Sequence, residues 1–402
     1  MLKYAFRHFS RRPLINFLLI LQMIVIHVIT IALISSVASR YEEYAPFQNC
    51  LQGDGYYYNL LMAVNTETKE LYSNVQLAEK MKGNPVIECI YLPPFGAELD
   101  LGDNTDSPMF QLMTLDDTLI RDYSFQLAEG EQIDLRKDYG GFVPVIISQN
   151  NLGYRLGSQI PFKQGYDERT AIVVGVLQDF ARVPKPVPVE NNAELSVHQF
   201  STNYSTTVEG SILLISAESL FTPDSYIMCG MVFVQYPDGV SEADKAANHE
   251  YMMRYGITAQ SGEFSMLRNN TWRYIFAQCL TLLPVAAAVL ILCITSILSM
   301  SALAAKRQIR DYAVYALCGL PWKSCIRIHA GEMLISTFAS YILTWIGMIF
   351  CRPLYEDTVI RIGLLQILSG IIVMAFCMLA ALILPRRLFR RSSLKTVLQD
   401  NE

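Results

Sequence analysis

Four stretches of this chain are too long and too apolar for ordinary surface or core helices: Leu14–Val37, Tyr274–Leu303, Met333–Phe350 and Ile362–Leu384. Crossing about 30 Å of hydrocarbon takes roughly 20 apolar residues, since a helix advances about 1.5 Å per residue. Inside hydrocarbon every backbone polar group needs a partner within its own segment, so these runs are committed to helix. The third run is the shortest and should tilt least. The long middle of the chain has the composition of a water-soluble domain. The fold class follows: a membrane protein with four transmembrane α-helices, one before and three after an inserted α+β extracytoplasmic domain.

The expected segments are a cytoplasmic N-terminus (1–13), helix 1 (14–37), the external domain (38–273) and helix 2 (274–303). After these come a cytoplasmic connection (304–332), helix 3 (333–350), a short external loop (351–361), helix 4 (362–384) and a cytoplasmic tail (385–402). The first run exceeds the roughly 7–15 apolar residues of a signal peptide, so it reads as an uncleaved anchor. Orientation comes from basic residues flanking the runs. Lys3, Arg7, Arg11 and Arg12 precede the first; Lys306, Arg307, Arg310, Lys323 and Arg327 lie between the second and third. Arg386, Arg387, Arg390, Arg391 and Lys395 follow the fourth. Four crossings place all three groups on one side, the cytoplasm, with both termini there, in a bacterial cell membrane. The chain carries a net charge of −5. The middle domain is acidic, which argues against nucleic acid or an anionic lipid surface as its main partner.

Within the domain, Tyr41–Phe47 reads as a stalk, followed by strands at Tyr56–Val64 and Val86–Leu92 and a helix at Asn74–Lys82. Val143–Ser148 reads as an apolar strand and Gln149–Leu156 as a short helix. Gly157–Phe162 is a turn into a strand, and Ala171–Leu177 a strand buried on both faces. Arg182–Gly210, rich in Pro, Asn, Ser and Glu, reads as a long exposed loop. Ser211–Ile215 and Met231–Gln235 return to strand, and Ser241 caps a helix reaching Tyr255.

Catalytic signatures are missing: the chain contains no GxxxxGK[ST], HExxH or GxSxG. His198 and His249 have no nucleophile that the sequence pattern pairs with them. No Cys/His spacing suggests a metal. Nine cysteines are present, of which only Cys50, Cys89 and Cys229 fall in the external domain. Those three allow one disulfide at most, with Cys50–Cys89 one candidate pairing.

The informative stretch is Lys306–Glu332. Ile309, Tyr312, Ala313, Ala316 and Leu317 recur at helical spacing, Gly319 suits a helix C-terminus, and Pro321 suits the first turn of the next helix. The unit is a helix, a sharp turn and a helix. Glu332, near the membrane, needs a partner; Arg327 or a helix-end donor is expected, as a structural clamp. Asn16, His27 and Thr30 share one face of helix 1, which predicts helix–helix hydrogen bonds. Pro284 should kink helix 2. Few ionisable residues interrupt the runs, so no polar pathway through the bilayer is expected.

These residues resemble the FtsX/MacB-type permeases of ATP-binding-cassette systems. Their connection reads R-E-[IF]-G-x-x-x-A-[LI]-G, followed by a Glu early in the next span. Arg310 and Asp311 stand at the Arg-Glu pair, Ala313 at the first Gly, Leu317 at the Ala, Cys318 at the aliphatic position and Gly319 at the last Gly. Glu332 stands at the Glu. Val145-Ile146-Ile147, Leu156-Gly157-Ser158-Gln159-Ile160 and Val173-Val174-Gly175-Val176 are similar to the family's external-domain pattern, and Arg386-Arg387 with Ser393–Leu398 to its basic ending.

The resemblance implies that Arg307, Arg310, Asp311, Ala316, Leu317, Gly319, Leu320 and Pro321 form a coupling elbow seated in a separate ATPase subunit. ATP and Mg would be bound by that ATPase and no cofactor by this chain. It also implies a homodimer or a paired related permease. The work would be mechanical, done on a peptide, a lipoprotein, another amphiphile or a cell-wall hydrolase outside. Two other readings stay open: a membrane-anchored sensor with no ATPase of its own, and an ectoenzyme.

Overall fold

The computed structural model describes residues 2–11, 13–72, 76, 83–99, 110–150, 152–164, 167–179, 181–185, 194–203, 212–217, 230–351 and 363–391. The chain divides into two compact units, Met1–Ser39 with Phe276–Glu402, and Arg40–Ile275. A short helix, α1 (Leu2–Ser10), is followed by α2 (Pro13–Tyr44), whose 32 residues carry the first apolar run and the expected stalk as one helix.

The Arg40–Ile275 unit is α+β. In one sheet β1 (Asp54–Ala63) lies between β12 (Gly230–Tyr236) and β13 (Gly256–Glu263), and β12 also pairs with β2 (Cys89–Tyr91), antiparallel throughout. The other sheet runs β3 (Phe95–Leu99), β4 (Phe110–Leu115), β11 (Ile212–Ala217), β6 (Val143–Ile147), β8 (Asp167–Leu177) and β5 (Leu127–Gly130), with β7 (Gln159–Gln164) also paired to β8. Its β4–β11 and β6–β8 pairs are parallel. Three neighbours make β8 a central strand, and its Ala171, Val173 and Val174 are buried, as its β-branched composition predicts.

A helix, α3 (Asp117–Asp122), follows β4, and α4 (Glu242–Arg254) follows β12. Ser241 Oγ accepts from the Asp244 amide at 3.1 Å, the expected cap. Met252 of α4 packs with Tyr58, Leu60, Ile90, Val232 and Val234 in the first sheet's core; Leu112, Val145, Ile147, Ile160 and Phe162 fill the second.

Several expectations change. Gln149–Leu156 is not a helix. Asn150 diverts the backbone there: its Oδ1 accepts from the Leu152 and Tyr154 amides, and its Nδ2 donates to the Ser148 and Tyr154 carbonyls. The helix expected at Asn74–Lys82 lies, Gln76 apart, outside the described residues. Arg182–Gly210 is not simply an exposed loop. Its first residues form β9 (Arg182–Pro184), which pairs with β10 (Ser201–Asn203), and Leu195, Val197 and Phe200 are buried between them in sequence; 186–193 and 204–210 fall outside the described residues. Cys50 and Cys89 are free thiols rather than a disulfide. Burial pushes both thiols up from their ordinary range, which makes the reactive thiolate scarce. Cys229 is not among the described residues.

The other unit is helical. After the α+β unit in sequence come α5 (Phe264–Leu317), α6 (Trp322–Phe350) and α7 (Leu364–Arg391). With α2 they make four helices long and apolar enough to cross a membrane. At 54 residues α5 is about 80 Å long, far more than a bilayer needs, and it runs unbroken through Pro284. The expected 304–332 connection therefore dissolves into two long helices, and only Cys318–Pro321 separates them.

Burial in this unit differs from that of a soluble bundle. Phe17, Leu280, Ile291, Leu292, Phe350, Leu364, Ile372 and Leu379 are exposed, while Asn16, His27, Gln308, His329, Glu332, Ser336, Thr337 and Ser340 are buried. A surface of large aliphatic side chains, with polar groups buried among apolar ones, suits hydrocarbon as the surrounding solvent.

Gly55 of β1 gives a stability prediction. A Cβ there would overlap the Phe264 ring and the Val234 carbonyl. Gly55→Ala is expected to cost about 1–3 kcal/mol through overpacking, read as a lower Tm of the purified chain. Gly140→Ala, where a Cβ meets nothing but φ is +65°, should cost less, about 1–2 kcal/mol.

Candidate functional site

The turn between α5 and α6 is built by the backbone alone. Leu320 N–H donates to the Tyr315 carbonyl at 3.0 Å, and Gly319 N–H to the Ala316 carbonyl at 3.1 Å. These two bonds define a Schellman end, and they require a left-handed residue at Gly319, whose φ is +94°. Leu320 and Tyr315 pack in one apolar cluster, which completes the motif. Pro321 then precedes the first turn of α6, and its carbonyl accepts from Ser324 N–H at 2.7 Å.

The elbow thus satisfies its own polar groups and presents side chains outward. Leu317 is 61% exposed, and Cys318, Gly319 and Pro321 are exposed with it. Arg307 and Arg310 are exposed on the last turns of α5, Asp311 and Ala316 half-buried. The residues singled out from sequence lie together at one end of a helical hairpin.

Behind the elbow is a buried polar network that the sequence does not announce. Gln308 Nε2 donates to both carboxylate oxygens of Glu332, at 3.0 and 2.8 Å. Tyr312 Oη donates to Gln308 Oε1 at 2.6 Å. His329 Nδ1 lies 3.4 Å from Gln308 Oε1 and 3.7 Å from Glu332 Oε2. Its Nε2 lies 3.4 Å from Ser301 Oγ, which is 2.5 Å from the Ala381 carbonyl of α7. All five side chains are fully buried. Arg327, expected to clamp Glu332, is exposed, and no Arg327–Glu332 ion pair occurs among the described residues. Five residues apart, the two side chains point about 140° from each other around the helix. His329, three residues away, shares Glu332's face.

Farther along α6, Ser336, Thr337, Ser340 and Thr344 are buried but return their hydroxyl hydrogens to carbonyls of their own helix. The bundle interior is therefore more polar than the apolar runs suggest. Of the helix–helix bonds expected of Asn16, His27 and Thr30, the described residues show one, from Asn16 of α2 to α1. Asn16 Nδ2 donates to the Phe9 carbonyl and Thr30 Oγ1 to the Ile26 carbonyl, while the His27 ring meets Tyr341 edge-on at 5.8 Å. Gln22, which donates to Ser296 at 2.7 Å, and Gln366, which donates to Ser35 at 3.3 Å, make further inter-helix bonds.

In the α+β unit His198 and His249 are half-buried and each contacts aromatic and hydroxyl neighbours. His249 Nδ1 is 3.1 Å from Tyr58 Oη, and its ring stacks on Tyr58. His198 stacks on Tyr274 at 3.9 Å and bonds Ser196 Oγ. Ser196 is 1% exposed and its hydroxyl also caps the turn Val197–Phe200, while His198 is half-buried. Burial lowers the His198 pKa from its ordinary value. Around Tyr274 the unit ties its two ends together. Glu43 pairs with Arg182 at 2.6 Å and accepts from Tyr274 Oη at 3.1 Å, while Arg40 donates to the Tyr274 carbonyl at 2.6 Å.

No family model and no curated protein matches the chain. Among solved structures, the periplasmic region of MacB from Actinobacillus actinomycetemcomitans is similar at 13% identity and a TM-score of 0.31, over 54% of this chain and 92% of that one. The extracellular domain of the noncanonic ABC-type transporter YknZ from Gram-positive bacteria is similar at 12% identity and a TM-score of 0.29, over 50% of this chain and 95% of that one. At this identity and score the likeness says nothing of activity.

The elbow's dependence on Gly319 is open to test. A Cβ there meets no neighbour within 4 Å, so any cost comes from the backbone. Gly319→Ala is expected to lose about 1–2 kcal/mol, and Gly319→Asn less, because Asn visits the left-handed region more readily. Thermal melts of the two variants in detergent check the order.

Proposed function

We propose that the chain is the membrane subunit of an ATP-binding-cassette complex, in which motion made by a separate ATPase enters at the Gly319 elbow. The observation that supports this most directly is the elbow itself: four non-helical residues, self-capped, exposed, and joining two long apolar helices. A groove on a partner would take Leu317, Cys318, Gly319, Leu320 and Pro321, with Arg307, Arg310 and Asp311 setting the approach by charge and Ala316 giving room. In this reading α2, α5, α6 and α7 cross the cell membrane, with lipid around their aliphatic faces. Both termini and the elbow lie in the cytoplasm, and the α+β unit lies outside.

ATP and Mg would be held by the ATPase, and two permease chains, identical or related, would present two elbows to an ATPase pair. Closure of that pair would push the elbows and shift the spans. The α+β unit, continuous in sequence with α2 and α5, would move on a peptide, lipoprotein, other amphiphile or hydrolase outside. Among the described residues, Ser336, Thr337 and Ser340 bond their own helix and Glu332 is held by Gln308, which favours mechanical work over conduction of a hydrophilic solute.

The test is affinity purification of the tagged chain from mildly solubilised native membranes, wild type beside Gly319→Trp. An ATPase should accompany the wild type and fall at least about tenfold in the variant, a loss of roughly 1.4 kcal/mol. Absence of any ATPase with the wild type would overturn the proposal and bring forward the sensor reading.

A further inference from the structure

Positive charge gathers ahead of α2. Lys3, Arg7, Arg11 and Arg12 lie there, and no Asp or Glu occurs before Glu42. Part of that stretch folds as α1, Leu2–Ser10. With about 100° of rotation per residue, Ala5, Phe9 and Phe6 share one arc of roughly 100°, and Arg7 lies on the other side of the helix. The apolar arc is used unevenly. Ala5 is buried and Phe9 half-buried, while Phe6 is 62% exposed. Arg7, Ser10 and Arg11 are exposed as well.

Three contacts fix the level at which α1 sits. Asn16, in the first turn of α2, donates from Nδ2 to the Phe9 carbonyl at 2.6 Å. Ala5 packs in one cluster with Ala305, Tyr312, Cys325 and Ile328, against which Leu320 of the elbow also packs. A Cβ on Gly331 would lie 3.1 Å from the Ala5 Cβ, so the glycine is what lets α1 approach α6 closely. Asn16 stands two residues inside the first apolar run, Ala305 two residues past the second, and Gly331 two residues before the third. All three contacts therefore fall where an apolar run starts or stops, on the elbow's side of the helices. Headgroups occupy that level of a bilayer.

We propose that α1 binds anionic lipid headgroups in the leaflet on the elbow's side, with Phe6 dipping into the acyl boundary and Arg7 and Arg11 taking lipid phosphates. A helix with an apolar edge and a basic face lies in the interface plane and is held there by apolar burial and by attraction to anionic lipid together. Arginine suits the task because its fork of N–H donors matches phosphate oxygens. With no carboxylate near it in sequence, the basic face finds its counter-charge in the leaflet. Because Ala5 shares a cluster with Tyr312, Cys325 and Leu320, the charge of that leaflet would bear on how firmly the base of the α5–α6 hairpin is packed. The lipid contact rests on the four apolar helices being membrane spans. Only its influence on coupling rests on the permease reading.

The experiment is hydrogen exchange, read by mass spectrometry, on the full-length chain in nanodiscs of two compositions. One is phosphatidylcholine alone, and the other is about three parts phosphatidylcholine to one part phosphatidylglycerol. The α1 amides should exchange at least about tenfold more slowly in the anionic discs, since each basic residue near such a surface adds to the attraction. The amides of α3, in the α+β unit, are the reference and should not change. Arg7→Gln with Arg11→Gln should remove the difference, and Arg7→Lys with Arg11→Lys should keep most of it. Equal α1 exchange in the two discs overturns the proposal. So does a slowing that survives the Gln pair, or one that α3 shares. The purification with Gly319→Trp reports separately on the permease reading. Lipid-dependent α1 without a co-purifying ATPase leaves the lipid contact standing and removes its influence on coupling, and lipid-independent α1 with a co-purifying ATPase sinks the lipid contact alone.

Discussion

A helix bundle in hydrocarbon gains little from hiding its aliphatic side chains, because the solvent is as apolar as they are. What then holds the helices at fixed angles is close packing and the few polar contacts that have nowhere else to go. Here the central one is the contact of Gln308 with Glu332, in which both carboxylate oxygens accept from one amide group. Around it Tyr312, His329 and Ser301 use nearly every donor and acceptor they have, and the chain of bonds ends on the backbone of α7. Leaving any of these groups unpaired would cost far more than a lost surface bond. The apolar contacts of Leu19, Met23, Ile26, Ile297 and Met333 fill the remaining space.

The apolar runs, the glycine elbow and the capped helix after β12 were all legible because each depends on residues close in sequence. Length and hydropathy suffice for the first, Gly319 and Pro321 for the second, Ser241 and Asp244 for the third. What depended on distant residues was not. Glu332 needs a partner, and opposite charge nearby in sequence points to Arg327 rather than to Gln308, 24 residues away and neutral. The spacing of His329 with Glu332, and of Gln308 with Tyr312, was the available signal: each pair shares a helix face. Gly256–Glu263 is short of β-branched residues and does not read as a strand; its pairing with β1 makes it β13. At Gln149–Leu156 the competition of Asn150 with the backbone outweighed helix propensity. In Arg182–Gly210 polar composition concealed Leu195, Val197 and Phe200, which pack as core.

The two histidines of the α+β unit illustrate how little a residue type says without its surroundings. His198 sits beside a serine hydroxyl, yet the serine is sealed and already serves a turn. His249 is a stacking partner for tyrosines on β1. Both rings are half-buried and already engaged by neighbouring hydroxyls.

Arg40 and Tyr274 stand at the two ends of the Arg40–Ile275 unit and touch each other. A module whose entrance and exit adjoin is topologically a graft: cutting it out leaves a gap that a short hairpin would close. Evolution can lengthen, shrink or exchange such an insert without renegotiating the scaffold that carries it. The helical scaffold and its α+β insert are then free to diverge at different rates, the one constrained by buried polarity, the other by whatever it meets.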